Sequence, residues 1–328
     1  VVHEPWWNAH AKHADIVLPA TTPLERNDIG CGPQDNVFFA MHRAIDPVGQ
    51  ARNDDDIFSD LAARLGFHDT YTEGRDEMGW LRHLYDIFRQ RTAEESIDVP
   101  SFPEFWEAGH FEIPRVEIPK VLFREFRRDP QANPLGTPSG RIEIFSSTID
   151  GFGYDDCPGH PVWLEPAEWL GSPKAARFPL HLISNQPHNR LHSQYDNGAV
   201  SLESKIDGRE PICLHPEDAS VRGIRSGDVV RVYNDRGECL AGAVVTDLIR
   251  PGVVRLPTGA WFDPLEPGKA GSLCVHGSAN MMTLDKGTSK LAQGPSAMTT
   301  LVEVERYTAP LPPIRAFDPP PTAGSASD

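Results

Sequence analysis

A chain of 328 residues with 39% hydrophobic and 24% charged residues and a mean hydropathy of -0.40 has the material for a real core and the length for two domains or one large one. Its net charge of -16 argues against nucleic acid as a main partner, and no apolar run approaches the ~18 residues of a transmembrane helix. Gly and Pro together make about 18% of the chain, above the average of about 12% yet below low complexity, so an ordered, turn-rich protein is expected.

The chain opens Val1-Val2-His3-Glu4, with no initiator methionine and no secretory leader, and reads as mid-domain material. The run Ala14-Asp15-Ile16-Val17-Leu18-Pro19 reads as a short buried strand closed by proline. Asn53-Asp54-Asp55-Asp56 supplies N-terminal acidic charge to a helix with Ile57, Phe58, Leu61, Ala62 and Leu65 on its apolar stripe, ended by Gly66. A second helix spans about 76–91, and Ser101-Phe102-Pro103-Glu104 is a capping box opening a third through Trp106. Residues 1–128 are therefore read as part of an α/β domain.

Seven prolines punctuate 129–178, a connector in which only Arg141-Ile142-Glu143-Ile144-Phe145 alternates as a strand should. Trp163, Trp169 and Phe152 would be costly in a free linker, so the connector is expected to pack on its neighbours. From 179 to 308 the pattern turns to β: strands near 180–183, 212–214, 228–233, 240–245, 252–256 and 301–304. A hairpin turn Asn234-Asp235-Arg236-Gly237 and a short helix at Pro216 closed by Gly223 separate them. Several short strands with few helices suggest a closed barrel. The Pro-rich tail, 309–328, reads as an extended strap followed by disorder.

The five cysteines have no C-x-x-C spacing and are expected to be free, mostly buried thiols in a reducing compartment. His188 and His192 are four residues apart, as are helical metal pairs, but their setting is loop. A zinc hydrolase built on them, or hydrogen-bonded surface histidines, are the alternatives there. Residues 184–194 hold ten polar or proline residues around one leucine directly after a strand. Such a loop either sits in water or surrounds a polar ligand, Arg190 suiting a phosphate or planar heterocycle and Gln, Asn and Ser the edges of heterocycles. A second polar loop begins His276-Gly277-Ser278-Ala279-Asn280 and runs to Gly294, with phosphate-friendly Thr, Ser and Lys but no Walker A order. No nucleophile, paired carboxylate or Ser-His-Asp set can be assigned from order or spacing.

Several motifs in this order resemble one family. His3-Glu4-Pro5-Trp6-Trp7 is followed by Ala14-Asp15-Ile16-Val17-Leu18-Pro19-Ala20 and Glu25-Arg26-Asn27-Asp28-Ile29. Thr137-Pro138-Ser139-Gly140, Tyr154-Asp155-Asp156-Cys157 and Gly159-His160-Pro161 continue it, then Arg190-Leu191-His192-Ser193-Gln194, Gly208-Arg209-Glu210-Pro211 and Asn234-Asp235-Arg236-Gly237. Gly259-Ala260-Trp261 and Gly287-Thr288-Ser289-Lys290-Leu291-Ala292-Gln293 close the set. Together they resemble the C-terminal part of the molybdopterin oxidoreductases of the dimethyl sulfoxide reductase type. Within that family the whole set most resembles the biotin sulfoxide reductases, with the trimethylamine N-oxide reductases next, and Gln186-Pro187 resembles the biotin sulfoxide reductase version of the loop more than that of periplasmic relatives.

The resemblance implies oxygen-atom transfer at a Mo-bis(molybdopterin guanine dinucleotide) cofactor, with an S-oxide or N-oxide substrate and an electron donor. It implies a double-psi type barrel over 179–308 that clamps the pterins, the loop contributing Ser184, Gln186, Arg190, His192, Ser193 and Gln194. Asn280, Gln293 and Gly294 fall on a second cofactor-facing loop, and Asn8 stands where relatives often carry Thr near a guanine dinucleotide. The molybdenum ligand and active-site aromatics are implied to lie upstream, on a missing N-terminal part in the same or an adjacent reading frame. No catalytic residue or metal ligand is therefore assigned here. The alternative is an inert truncated remnant or a non-catalytic cofactor-binding module. A cytoplasmic location is expected, or a periplasmic one if the missing part carries a twin-arginine signal.

Overall fold

The computed structural model describes residues 1–32, 35–94, 96–114, 121–294, 296 and 298–320. They form two compact units, the first Val1–Arg124 and the second from Glu125 on.

The first unit is α/β. Strand β1 (Val2–His3) pairs in parallel with β2 (Val17–Leu18), Val2 opposite Val17. The expected buried strand is thus only two residues long and half-buried, and Ile16 beside it is exposed. A second, antiparallel sheet joins β3 (Asp28–Gly30), β4 (Val37–Met41) and β5 (His110–Glu112). It escapes sequence reading because Val37-Phe38-Phe39-Ala40-Met41 has no polar alternation. The first helix, Asp54–Leu65, ends at Gly66, whose φ of 82° supplies the left-handed cap. The second runs Glu77–Glu94 and the third Phe102–Ala108, where Glu104 Oε2 accepts hydrogen bonds from the Ser101 amide (2.8 Å) and hydroxyl (2.6 Å). Their core centres on Tyr85, stacked on Phe105 at 4.5 Å, with Leu81, Val99 and Phe102 around it.

The second unit is built on a closed six-stranded barrel. Its strands are β6 (Leu180–Ile183), β7 (Pro211–Leu214), β8 (Val229–Tyr233), β9 (Glu238–Val245), β10 (Val253–Arg255) and β11 (Thr300–Arg306). They are neighbours in the order β10-β6-β11-β8-β9-β7. Only β8 and β9 are consecutive in the chain, so this barrel is crossed rather than meandering. β6 and β10 pair in parallel, as do β7 and β9, and the other pairs are antiparallel. Alternation fills the interior with Leu180, Leu182, Val230, Val232, Val302 and Val304. The Asn234–Gly237 turn closes the β8–β9 hairpin and does more. Asn234 Nδ2 donates to the carbonyls of Met282 (2.9 Å) and Leu301 (3.0 Å), and a Cβ on Gly237 would lie 2.7 Å from the Met281 carbonyl.

The connector belongs to this second unit. Its latch is Glu168, buried and bound by Arg236 (2.6 and 3.0 Å), Lys174 (2.5 Å) and the Leu301 amide (2.9 Å). Two expectations fail here. Residues 141–145 form no strand, because no neighbouring edge among the described residues offers them a ladder. The aromatics pack only in part, Trp163 staying 79% exposed while Trp169 and Phe152 are a little more than half covered. The tail through residue 320 is a strap: Arg209 donates to the Pro312 carbonyl (2.7 Å), Ala316 is buried, and Phe317 lies edge-on to Trp261 and His276. The disorder expected beyond residue 320 lies outside the described residues.

Candidate cofactor site

The loop after β6 grows directly out of the barrel. The β10–β6 ladder continues past β10, with the amides of Leu256 and Thr258 donating to the carbonyls of Ile183 (3.1 Å) and Asn185 (2.9 Å). Beyond that the loop turns on itself. Gln186 Nε2 donates to the Arg190 carbonyl (2.8 Å), the Gln194 amide to Leu191, and His192 and Tyr195 adopt left-handed φ of 49° and 56°. Such conformations cost free energy in non-glycine residues and persist where the surroundings enforce them.

That enforcement comes from a buried ionic cage. Arg190, Lys205, Asp196 and Glu210 have side chains no more than 2% exposed. Arg190 donates through Nε to the His192 carbonyl (3.1 Å), through Nη1 to Ser201 (3.2 Å) and through Nη2 to the Thr258 carbonyl (3.1 Å), and it pairs with Glu210 at 3.1 Å. Lys205 bridges Asp196 (2.8 Å) and Glu210 (3.0 Å), and the second oxygen of Asp196 accepts from the Trp261 amide (2.9 Å). Two cations face two carboxylates with their hydrogen-bonding capacity met, the condition under which buried charge is tolerated. Burial opposes ionisation of Asp196 most strongly, but Lys205, His276 and the Trp261 amide together outweigh it and hold the carboxyl below its ordinary range.

His276 roofs the cage, 3.8 Å from Asp196, with Nδ1 donating to the Trp261 carbonyl (2.9 Å). Burial first, and Lys205 second, depress it to about 4, so it is the neutral Nδ1–H tautomer at pH 7. A Cβ on Gly259 (φ 97°) would lie 2.0 Å from the His192 carbonyl, so only glycine lets the 256–261 segment approach the loop.

The structure sorts the expected residues. Gln186, His192, Ser193 and Gln194 present exposed amide, imidazole and hydroxyl groups on one loop, and Ser184 is buried at its root. Arg190 is different: its guanidinium points into the cage and braces the loop. Asn280 is exposed on the turn Ala279–Met281. Gln293 and Gly294 close a small turn, Gln293 Nε2 donating to the Ser289 carbonyl (3.1 Å) and the Gly294 carbonyl accepting from the Thr288 amide (2.8 Å). Lys290 ties this turn to the connector at Asp155 (3.0 Å) and Asp156 (3.1 Å), beside a cleft of about 430 Å³ lined by Lys286, Thr288 and Glu165. The beginning of the second loop is not open as expected, since His276, Ser278 and Ala279 are buried. In the first unit, Asn8 caps the helix Ala9–Lys12, its Oδ1 accepting from the Ala11 amide (2.9 Å). Among the described residues no group of three or more His, Cys, Asp or Glu side chains is placed to hold a metal ion. Trp261 and Tyr233 belong to the barrel: Trp261 is buried with Nε1 donating to the Ser193 carbonyl (2.8 Å), and Tyr233 packs on Phe178.

Sequence reading missed Asp196, Ser201, Lys205 and Glu210. Nothing in their spacing marks them as a set, and only the folded chain brings them together.

Residues 180–301 match the model of the molydopterin dinucleotide binding domain, and residues 1–64 that of the molybdopterin oxidoreductases. The chain belongs to the molybdopterin oxidoreductase family, and the cofactor served by the matched domain is a molybdopterin dinucleotide, in keeping with the expected Mo-bis(molybdopterin guanine dinucleotide). The dimethyl sulfoxide/trimethylamine N-oxide reductase of Cereibacter sphaeroides is 47% identical, covering 98% of this chain and 39% of the relative. The biotin sulfoxide reductase of the same organism is 48% identical over 94% of this chain and 41% of the relative. The chain thus spans about two fifths of the length of these relatives. Among solved structures, acetylene hydratase from Pelobacter acetylenicus shares the fold at a TM-score of 0.66 and 20% identity, over 92% of this chain and 39% of that one.

The residues present suit the cofactor. Asn185 Oδ1 and Asn197 Oδ1 are buried acceptors without a partner among the described residues, and the amino and ring N–H groups of a pterin or guanine supply such donors. No helix among the described residues is long and apolar enough to cross a membrane.

Proposed function

We propose that this chain is the C-terminal portion of a molybdenum enzyme that reduces S-oxides or N-oxides, its barrel clamping a Mo-bis(molybdopterin guanine dinucleotide). Candidate substrates are biotin or methionine sulfoxide, trimethylamine N-oxide and dimethyl sulfoxide, named for the chemistry of the relatives. The observation that carries this reading is the 184–196 loop, braced from beneath by four buried charges while its amide, imidazole and hydroxyl groups face outward. When bound, the cofactor supplies two-electron oxygen-atom abstraction from the substrate, its electrons coming from a separate donor. The chain's own work is binding and orientation. Gln186, His192, Ser193 and Gln194 hydrogen-bond a pterin edge, with Ser184 at the loop's root and Asn185 and Asn197 accepting from it. Arg190 holds these groups in place without touching the ligand. Asn280, Gln293 and Gly294 form the second contact. Five free thiols fit a reducing, cytoplasmic setting.

The span of about two fifths of the relatives favours one further reading for the chain by itself, a cofactor-binding module without activity. Co-production with an N-terminal three fifths taken from the Cereibacter relative tests both readings. Molybdenum content and viologen-linked sulfoxide reduction are expected only in the pair. Gln186→Ala with Gln194→Ala should lower molybdenum content about tenfold, the loss of two to three hydrogen bonds. A pair that binds no molybdenum would overturn the enzyme reading, and unchanged content in the double variant would overturn the loop's role.

A further inference from the structure

The strap over 309–318 forms neither strand nor helix, yet its contacts converge on the ionic cage. Arg209, buried and next in the chain to Glu210, donates to the Pro312 carbonyl (2.7 Å). A Cβ on Gly208 would lie 2.5 Å from Ile314 Cδ1, so the strap passes close over that turn. The Arg315 amide donates to Asp263 Oδ2 (2.6 Å), and the Asp263 carbonyl accepts from the amide of Val275 (2.8 Å), one residue before His276. Phe317 then meets His276 at 5.1 Å with the rings perpendicular, and Trp261 at 5.3 Å, also edge-on. Edge-to-face aromatic contacts are attractive beyond the area they bury. Trp261 is the hub on which cage and loop meet. Its amide donates to Asp196, its Nε1 to the Ser193 carbonyl, and its own carbonyl accepts from His276. These strap contacts thus fall on, or within two residues of, Glu210, Trp261 or His276.

We propose that residues 312–318 are a latch on the 184–196 loop, with Phe317 as the positioning residue through which the latch acts. Seated, Phe317 holds Trp261 against Ser193 and Asp196 and keeps His276 and Trp261 dry. Lifted, it admits water to both, weakens ion pairs that depend on a dry interior, and frees His192 and Tyr195 from their left-handed conformations. A strap with no ladder of its own can lift while the barrel strands stay paired among themselves. Arg209 Nε is a buried donor without an acceptor among the described residues, a cost of the seated state that opening to water relieves. The inference rests on the reading of that loop as the cofactor's binding site, and on that reading the latch sets how long the cofactor stays bound.

Hydrogen exchange in the full chain tests the latch without the cofactor. The amides of Gln194, Asp196 and Gly198 close the loop's own turns. In Phe317→Ala they should exchange about tenfold faster than in the parent, while the amides of Val230, Val232 and Val302 in the barrel keep the parent's rate. Phe317→Tyr keeps the ring and should restore the parent's loop exchange. Arg209→Met unfastens Pro312, leaves Phe317 in place, and should speed the same loop amides. In the pair co-produced with the N-terminal three fifths of the Cereibacter relative, Phe317→Ala should lose molybdenum about tenfold faster on repeated gel filtration. Loop exchange unchanged in both Phe317→Ala and Arg209→Met overturns the latch. Equal acceleration in loop and barrel also overturns it, by making Phe317 a contributor to global stability alone. Faster loop exchange with molybdenum held as in the parent supports the latch and overturns the loop as the cofactor's site.

Discussion

At the residue scale, the cage under the loop makes the sharpest claims. His276 is neutral in the fold and titrates at about 4, below its ordinary 6.5. Between those values the unfolded chain binds a proton that the folded chain refuses, so stability is fully present above about pH 6.5 and falls as the pH drops toward 4. His276→Asn keeps a donor for the Trp261 carbonyl and removes the titration. Urea midpoints measured from pH 7.5 to 4.5 should decline less steeply in that variant than in the parent. Lys205→Met leaves Asp196 and Glu210 short of a cation in a dry interior, and about 3–5 kcal/mol of stability should be lost in denaturant unfolding at pH 7. The double change Lys205→Met with Glu210→Gln should recover part of it.

Short-range chemistry at this scale was readable. Gly66, Ser101 and Glu104 are where capping rules place them, since caps depend on neighbours a few residues away. Arg190 was legible as a charge in a dense polar loop but not in its direction. A guanidinium serves a ligand or an internal carboxylate equally well, and only the convergence of Asp196 and Glu210 decides which.

At the element scale, the turn and the connector latch govern how the barrel holds its loops. Gly259→Ala forces a Cβ against the His192 carbonyl at a φ of 97°. Loss of the loop's conformation is expected, with a drop of several °C in thermal midpoint and reduced molybdenum content in the co-produced pair, read by calorimetry and metal analysis. Glu168 fastens the connector to β11 and to the β8–β9 turn. Burial resists its ionisation, yet Arg236, Lys174 and the Leu301 amide prevail and hold it at about 2. Its contribution is therefore present above its ordinary 4.5 and fades as pH falls toward 2. Glu168→Gln should cost about 3 kcal/mol at pH 7, with a smaller difference from the parent near pH 3, measured by urea unfolding.

The strands of the barrel were legible because each is a short apolar or alternating run set off by turn residues, as at Val229–Tyr233 before the Asn234–Gly237 turn. β4 was not, because Val37-Phe38-Phe39-Ala40-Met41 is apolar throughout and gives no period. The strand expected at 141–145 has the right pattern and no partner. Pattern reports which face a strand would bury, and pairing requires a neighbour that this chain does not place there.

At the scale of the whole molecule, the amino-acid order alone established a turn-rich acidic chain, an α/β beginning, a closed barrel over the C-terminal half and a family resemblance carried by many ordered motifs. These follow from local rules: hydrophobic period, caps, turn residues and short motif strings. Tertiary structure decided the rest. It set the crossed order β10-β6-β11-β8-β9-β7, which depends on pairings between strands distant in sequence. It turned Arg190 inward, neutralised His276 and buried the start of the second loop, because burial and charge balance are properties of groups brought together from residues 190 to 276. It also left Ile144 and Trp163 bare. Apolar content can be read residue by residue, but whether a surface is covered depends on what the fold brings against it.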